Sequence, residues 1–167
     1  GIESEVRRFE DTISEEEILD EINKINSDSS IHGVIVQLPL PKHISVTKVL
    51  NSIDPSKDVD GFTPSNVGKL FLGEDTLVSC TPKGIMSILK SADVNLTGMN
   101  VTVIGRSNIV GKPVSILCQQ QNATVTMCHS KTRDLNAKLA DADVIIVAAG
   151  VPKFINGDQI PNGAVVV

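Results

Sequence analysis

The stretch that most constrains the fold is residues 101–113 (VTVIGRSNIVGKP), where an apolar run leads into a turn flanked by glycines. Its first four residues are typical of a buried strand, and Gly105 ends that strand where a side chain would obstruct a tight turn or an approaching phosphate. A helix starting after the turn would direct unpaired amide groups and the positive end of its dipole toward the same space. The stretch therefore predicts a nucleotide site.

The spacing of this stretch differs from the usual dinucleotide fingerprint GxGxxG. Ser107 stands in place of the second glycine, and Gly111 falls one residue late. Taken alone, the pattern leaves a structural turn in some other α/β protein as an equal alternative. The choice depends on the segments around it.

The segments that follow the turn favour the nucleotide interpretation. Periodicity predicts a helix over 113–121, strands over 123–128 and 144–148, a short helix over 135–140 and a last strand over 164–167. Strands that alternate with helices imply a parallel sheet with helical crossovers. The predicted fold class is α/β, with a Rossmann-type parallel-sheet domain for NADP preceded by a smaller α/β substrate domain.

The boundary between these domains is predicted at 80/81, giving a substrate domain over 1–80 and a dinucleotide-binding domain over 81–167. Thr81 has the pattern of a helix N-cap and Pro82 that of a first helical residue. Both domains are expected to be incomplete within this chain.

The first domain is predicted to contain a helix, a strand and a second helix. Residues 14–17 (SEEE) form a capping box before the first helix, and the second helix follows Ser45. Between them, residues 33–38 (GVIVQL) predict a strand buried on both faces, which ends at a proline. Gln37 then lies at the carboxyl end of a strand, where ligands of α/β proteins collect. An amide that merely holds the 38–41 turn is an equal alternative.

The loop over 54–64 (DPSKDVDGFTP) contains three carboxylates among prolines and a glycine. Its spacing does not fit an EF-hand, so no metal site is predicted. Charged loops are usually only solvated. The apolar Val59 and Phe62 on either side of Asp60 instead indicate that this part folds inward and carries a carboxylate with it.

Composition narrows the classes of partner. The 167 residues have a formal net charge of −5 and a pI of about 5.1, without a run of basic residues, which disfavours nucleic acid and anionic membranes as partners. No segment has the pattern of a membrane span or a signal peptide. The three cysteines, Cys80, Cys118 and Cys128, are too widely spaced for a metal motif. They are interpreted as reduced packing residues.

The end of the second predicted strand indicates which dinucleotide is preferred. NAD sites place an acid there for the ribose hydroxyls, whereas NADP sites place cations and hydroxyls. Residues 129–133 (HSKTR) contain no acid, and the first one follows at Asp134. Arg106 in the glycine turn adds a guanidinium suited to a 2′-phosphate. The predicted cofactor is NADP.

Four motifs together closely resemble the methylenetetrahydrofolate dehydrogenase/cyclohydrolase family. They are residues 36–41 (VQLPLP), 57–62 (KDVDGF), 80–84 (CTPKG) and 105–113 (GRSNIVGKP). Their order and spacing match as well, and the resemblance covers essentially the whole chain. It implies oxidation of 5,10-methylenetetrahydrofolate by NADP⁺ and hydrolysis of the methenyl product to 10-formyltetrahydrofolate, reactions of one-carbon metabolism and purine biosynthesis.

The resemblance also implies roles for residues on the folate side. Gln37 would be the active-site amide beside a catalytic lysine, and Asp60 would accept hydrogen bonds from the pterin, so both are candidate catalytic residues. Val36 and Leu38 would line the folate pocket with them.

On the cofactor side, the resemblance implies that Gly105, Arg106 and Ser107 hold the cofactor phosphates and that Ser130 helps at the 2′-phosphate. A hydride transfer requires nicotinamide and pterin to be held together in a partly dry cleft. A homodimer is implied by the family. The lack of a signal-peptide pattern and the reduced cysteines predict a cytoplasmic location, with the mitochondrion or another organelle as the alternative.

The departure from the family is a missing motif. Members carry a helix with Tyr and Lys four residues apart, the lysine serving the hydrolytic step, and this chain contains no tyrosine. None of Lys42, Lys57 or Lys69 has the motif, so none is assigned to catalysis.

The chain is therefore interpreted as the central part of a longer enzyme. The alternatives are a non-catalytic NADP-binding regulatory module and another two-domain dehydrogenase, such as one acting on shikimate or an amino acid.

Overall fold

A computed structural model describes all 167 residues and divides them into two compact units, Gly1–Val59 and Asp60–Val167. The second unit contains a four-stranded parallel sheet with helices between its strands. The predicted α/β fold class is thereby confirmed. Every helix is too short or too polar to span a bilayer.

The helices and strands have the following bounds. The first unit contains α1 (Glu15–Ser27) and α2 (Val46–Ser52). The second unit contains α3 (Pro64–Leu72), α4 (Cys80–Ser91), β1 (Asn100–Ile104), α5 (Gly111–Gln120), β2 (Thr124–Cys128), α6 (Leu135–Leu139), β3 (Val144–Val147), a 3₁₀ turn (Gly157–Gln159) and β4 (Val165–Val166).

Both predicted helices of the first unit are confirmed. The Ser14 hydroxyl accepts from the Glu17 amide at 3.2 Å, and the Glu17 carboxylate accepts from the Ser14 amide at 3.0 Å, which closes the capping box. Ser45 caps α2. The two helices bury an apolar core made of Ile22, Ile44, Val49 and Ile53.

Lys57 closes the other end of α1. Its side chain is 9% exposed, and Nζ donates to the carbonyl oxygens of Ile25, Asn26 and Asp28 at 2.6, 2.8 and 2.7 Å. These are carbonyls of the last turn and the cap, where the backbone hydrogen bonds of the helix end, and the Ile25 carbonyl also accepts from the Asp28 amide at 3.3 Å. Lys57 is therefore a structural cap of α1.

The prediction of a strand over 33–38 buried on both faces is wrong. The segment makes one isolated parallel bridge, between Val34 and Asp58. Val34 and Val36 pack against the core of the first unit, whereas Ile35 points to the opposite side and is 63% exposed. Alternate side chains of an extended segment face opposite ways, and in this unit only one side is covered.

The sheet of the second unit has the order β2-β1-β3-β4, with every pair parallel. Ile104, at the end of β1, lies opposite Cys128 of β2 and Val147 of β3. Val101 and Val103 belong to one buried cluster, and Ile104 belongs to another that includes Leu139 of α6. The central strand is thus buried on both faces, as its sequence predicts.

The region before α4 differs from the prediction. The sequence reading treats 54–64 as a loop and 68–78 as a mixed segment, but α3 forms there with Thr63 as its N-cap and Pro64 as its first residue. Helix α4 begins at Cys80 with Ser79 as N-cap, so the predicted N-cap Thr81 and first helical residue Pro82 are each two residues late.

The domain boundary predicted at 80/81 stays a prediction. Residues 60–79 group by their contacts with the second unit. One of those contacts joins α3 to α5, where the Gln120 side-chain nitrogen donates to the Leu70 carbonyl at 2.7 Å.

The cysteines divide into two kinds. Cys118 and Cys128 are buried packing residues, as predicted, at 0% and 1% exposure, whereas Cys80 at the start of α4 is exposed, so its assignment as a packing residue is wrong. Burial raises the pKa of the Cys118 thiol to about 11 and also raises the pKa of Cys128.

This difference predicts selective alkylation of the folded protein. At about pH 8, iodoacetamide is expected to modify Cys80 and to leave Cys118 and Cys128 unmodified until the protein is unfolded, because the reactive species is an accessible thiolate. Peptide mass spectrometry before and after unfolding in urea measures this. Equal labelling of all three in the folded state would contradict the burial of the latter two.

Candidate functional site

The glycine turn begins where β1 ends. The Gly105 amide donates to the Cys128 carbonyl of the neighbouring strand at 2.9 Å, and the residue has φ +131°. A Cβ at Gly105 would overlap the Ala148 carbonyl oxygen and lie 2.9 Å from its carbonyl carbon. Position 105 therefore requires glycine both for its backbone conformation and for the close passage of the segment that follows β3.

Gly111 explains the unusual spacing of the motif. It is the first residue of α5, and a Cβ there would overlap the Gly105 carbonyl oxygen and lie 2.6 Å from its carbon. The helix start thus packs directly on the backbone of the turn. The last glycine of a dinucleotide fingerprint allows the same close packing, and here it falls one residue later in the sequence.

Ser107 binds the start of α5. Its hydroxyl accepts from the amides of Val110 and Gly111 at 3.2 and 3.3 Å, and its carbonyl accepts from the Lys112 amide at 3.0 Å. Pro113 has no N–H. The expectation that the first turn of the helix presents unpaired amides is therefore wrong, because Ser107 already satisfies them.

The unpaired donors lie in the turn itself. The four amides from 106 to 109 donate to no acceptor within the protein. Both lone pairs of the Ser107 hydroxyl are used by the α5 amides, so its proton is free to donate elsewhere. Successive backbone amides of a turn form the anion-binding concavity of many phosphate sites, which makes this turn the candidate anion site.

Arg106 adds a positive charge to that turn. Its side chain is exposed and makes no ion pair. All ion pairs of the structure lie in the first unit. Lys112 is held differently, with Nζ donating to the Asn108 side-chain oxygen at 2.7 Å. The Arg106 guanidinium therefore remains available to an anionic ligand.

The loop after β2 lies at the same edge of the sheet. The pairing of Ile104 with Cys128 places the first residues after the two strands, Gly105 and His129, side by side. Ser130 and the cations Lys131 and Arg133 follow, all exposed and without ion pairs. The structure thus brings the predicted cofactor residues of both loops to one carboxyl edge.

Asp134 does not serve this edge as a free acid. It adopts φ +50° and caps α6, where its carboxylate accepts from the Ala137 amide at 3.1 Å. The first carboxylate after β2 is therefore committed to a helix. This arrangement favours a phosphate over a free ribose hydroxyl at the end of β2.

The substrate-side residues of the first unit lie in its extended segment. Gln37 is exposed, and its side-chain nitrogen donates to the Leu38 carbonyl at 3.1 Å, next to a cis bond between Leu38 and Pro39. Val36 and Leu38 are half-buried. The hydrogen bond from the Gln37 side chain to the Leu38 carbonyl agrees with an amide that holds the turn. The Gln37 side-chain oxygen has no partner within the protein.

Asp60 is half-buried in a loop that is not simply solvated. Its neighbour Gly61 has φ +67° and passes so close to the chain that a Cβ would overlap the Leu77 carbonyl oxygen. Asp58 is 1% exposed, whereas the Asp54 carboxylate accepts from the hydroxyl and the amide of Ser56, which lowers its pKa. The inward fold predicted for this loop agrees with these positions.

Sequence reasoning missed two contributions to the site. One is the role of Ser107 as a cap of α5, which the missing second glycine signalled. The other is the loop closure by Thr132, whose hydroxyl accepts from the His129 amide at 2.8 Å. A hydroxyl four residues after the end of a strand is a weak signal, since Ser and Thr are common in loops.

Comparisons with known proteins match both parts of the chain. A family model described as the tetrahydrofolate dehydrogenase/cyclohydrolase NAD(P)-binding domain matches residues 79–167, and the corresponding catalytic-domain model matches residues 1–60. The bifunctional protein FolD of Geotalea daltonii is 56% identical over all 167 residues, which cover 60% of its length. The chain spans about three fifths of the length of the curated relatives it matches.

Solved structures agree with this match. The bifunctional FolD enzyme from Campylobacter jejuni superposes with a TM-score of 0.91 at 46% identity, covering 93% of this chain and 56% of that one. The Trypanosoma brucei dehydrogenase-cyclohydrolase, solved with NADP cofactor and an inhibitor, gives 0.88 at 36% identity, covering 93% and 54%.

Proposed function

Because the chain belongs to the tetrahydrofolate dehydrogenase/cyclohydrolase family, we propose that the protein containing it oxidises 5,10-methylenetetrahydrofolate with NADP⁺ and hydrolyses the methenyl product to 10-formyltetrahydrofolate. The observation that carries this proposal is the match of both domain models along the chain, in the order that the bifunctional relatives have. One-carbon metabolism and purine biosynthesis are the corresponding processes.

The cofactor side of the proposal rests on the carboxyl edge of the sheet. The unpaired turn amides and the Ser107 proton bind the pyrophosphate, and Gly105 allows the backbone conformation and the close packing that the turn requires. Arg106 and Ser130 bind the 2′-phosphate of NADP. NADP supplies the hydride acceptor, and these residues hold it in place.

The folate side rests on the motifs of the two segments that carry Gln37 and Asp60. Val36 and Leu38 contact the folate, and Asp60 accepts hydrogen bonds from the pterin. The free side-chain oxygen of Gln37 orients the group that acts as acid and base in hydrolysis. A homodimer in the cytoplasm, with domains over 1–80 and 81–167, completes the proposal.

The direct test uses the protein encoded by the complete reading frame. Methenyltetrahydrofolate formation is followed with NADP⁺ and NAD⁺ in parallel, and its hydrolysis is followed separately. We expect both activities, with NADP⁺ preferred. Dinucleotide binding without any turnover would support a regulatory NADP-binding module instead. Oxidation of shikimate or an amino acid, without turnover of the folate, would indicate a different dehydrogenase.

Gln37→Ala is expected to reduce hydrolysis of the methenyl compound more than hydride transfer. A positioned acid or base contributes about 10²- to 10⁴-fold to a rate, and hydride transfer does not strictly require one. The two rates are measured on the same variant in the complete protein. An equal loss in both would make Gln37 a binding residue, and unchanged rates would leave it as the amide that holds the turn.

Asp60→Ala is expected to weaken folate binding while NADP⁺ binding stays unchanged. The variant leaves pterin donors unpaired, which costs about 1 to 3 kcal/mol, or about five- to a hundredfold in the dissociation constant. Titration calorimetry of both ligands measures the effect.

Asp54→Ala is the matched control for Asp60. Asp54 lies in the same loop and accepts only from Ser56, so its replacement should change folate binding little. Asp58 is unsuitable because it is buried and its replacement would disturb the fold. Similar small effects at 54 and 60 would remove Asp60 from the folate site.

A further inference from the structure

The loop that follows β2 is closed by hydrogen bonds to His129. The Thr132 amide donates to the His129 carbonyl at 2.8 Å, and the His129 amide donates to the Thr132 hydroxyl at 2.8 Å. A third bond comes from the ring, because the Lys131 amide donates to Nδ1 of His129 at 3.1 Å. Ser130 thus lies in a loop in which His129, at one end, is hydrogen-bonded both to Lys131 in the middle and to Thr132 at the other end.

We propose that His129 is a positioning residue for the selection of NADP over NAD, through the acceptor at Nδ1 that fixes the backbone of Ser130 and Lys131. The inference rests on the proposed function. It names a residue that acts on the cofactor site by holding Ser130 in place. It follows from geometry, since the ring bond is the one contact that restrains the middle of the loop.

The bond has the pattern of an Asx turn. In such a turn the side-chain oxygen of Asn or Asp accepts from the amide two residues later, and here Nδ1 of His129 replaces that oxygen. Because Nδ1 accepts, the proton of the neutral ring is on Nε2. Asn places its oxygen where Nδ1 lies, whereas Gln places its oxygen near Nε2, so the two amides separate the roles of the nitrogens.

The effect should be confined to NADP. The loop lies at the end of the second strand, beside the Arg106 turn, which is the end of the site that receives the ribose 2′ substituent. A loop held in its binding conformation saves the entropy of ordering Ser130 when the phosphate binds. NAD has no 2′-phosphate and makes no use of that order.

The test compares His129→Asn, His129→Gln and His129→Ala with the wild-type protein from the complete reading frame. Titration calorimetry measures the dissociation constants of NADP⁺ and NAD⁺, and steady-state assays measure KM for NADP⁺ and kcat. His32→Ala is the matched control, since His32 is exposed and makes no hydrogen bond. Thermal unfolding of each variant verifies that it is folded.

We expect His129→Gln and His129→Ala to weaken NADP⁺ binding about three- to tenfold, the value of a hydrogen bond between neutral groups. KM for NADP⁺ should rise with kcat unchanged, NAD⁺ binding should stay the same, and His129→Asn and His32→Ala should bind both as the wild type does. If His129→Ala does not fold, the comparison of the Asn and Gln variants still decides.

Three results would overturn the inference alone. They are wild-type NADP⁺ affinity in His129→Gln, equal losses in His129→Asn and His129→Gln, and a loss that is equal for NADP⁺ and NAD⁺. A wild-type protein that binds neither dinucleotide would instead overturn the proposed function, and this inference with it. The two failures are therefore distinguishable.

Discussion

Arg106→Ala is expected to weaken NADP⁺ binding by about ten- to a hundredfold and to leave NAD⁺ binding nearly unchanged. The guanidinium is exposed and makes no ion pair within the protein, so its charge is available to the 2′-phosphate that only NADP carries. A charge-assisted hydrogen bond contributes about 1.5 to 3 kcal/mol. Titration calorimetry with both dinucleotides on the complete protein measures the difference.

Lys112→Ala is the matched control for Arg106. Lys112 is a cation in the first turn of α5, but its amine is bound to the Asn108 side chain. We expect any effect of its replacement to be equal for the two dinucleotides. Equal losses for NADP⁺ and NAD⁺ in Arg106→Ala would show that Arg106 contacts the shared pyrophosphate and would remove it from the 2′-phosphate site.

Gly111→Ala is expected to destabilise the protein, although alanine favours a helix. Alanine in place of glycine inside a helix ordinarily stabilises by up to about 1 kcal/mol. At position 111 the added methyl group would overlap the backbone at Gly105, and overpacking of this kind typically costs about 1 to 3 kcal/mol. The free energy of unfolding in urea, followed by circular dichroism, measures the change.

Gly84→Ala is the control that separates propensity from packing. Gly84 is inside α4 and exposed, and a Cβ there meets no atom within 4 Å. We expect this variant to be more stable than the wild type by a few tenths to about 1 kcal/mol. If both variants gained stability, the contact between the start of α5 and the turn would not exist in solution.

Much of the fold could be predicted from the sequence, because the signals are local. The capping box at Ser14 and Glu17 depends on residues three apart, and it forms as predicted. The apolar run before Gly105 predicts a central strand, and the later alternation of strands and helices predicts a parallel sheet, both of which the structure contains. The placement of the candidate cofactor residues at one edge also follows, since parallel strands bring the loops after them to the same edge of the sheet.

The missed helix α3 had a local signal as well. Thr63 followed by Pro64 is the pattern of an N-cap and a first helical residue, but Pro55, Gly61 and the three carboxylates of the preceding loop favoured an irregular segment. Competing turn residues obscured a helix start. The error at α4 has the same origin, because Ser79 and Thr81 are both acceptable caps and only the structure distinguishes them.

What the sequence by itself determined is the class of the fold, the central strand with its glycine turn, and the residue types at the edge of the sheet. These depend on the conformational preferences of neighbouring residues and on a periodicity that any strand or helix must have. The unusual glycine spacing after Gly105 was also evident from the sequence, whereas the packing that explains it was not.

Only the tertiary structure decided which groups those residues meet. Ser107 satisfies amides at the start of α5, Lys57 caps the end of α1, and Asp134 caps α6. The sequence indicated none of these three sets of hydrogen-bond partners. Ile35 is exposed because packing covers one side of its segment. Which groups form a hydrogen bond, and which face is buried, depends on the residues that the fold brings together. The order of residues along the chain does not specify the distances between residues that are far apart in the sequence.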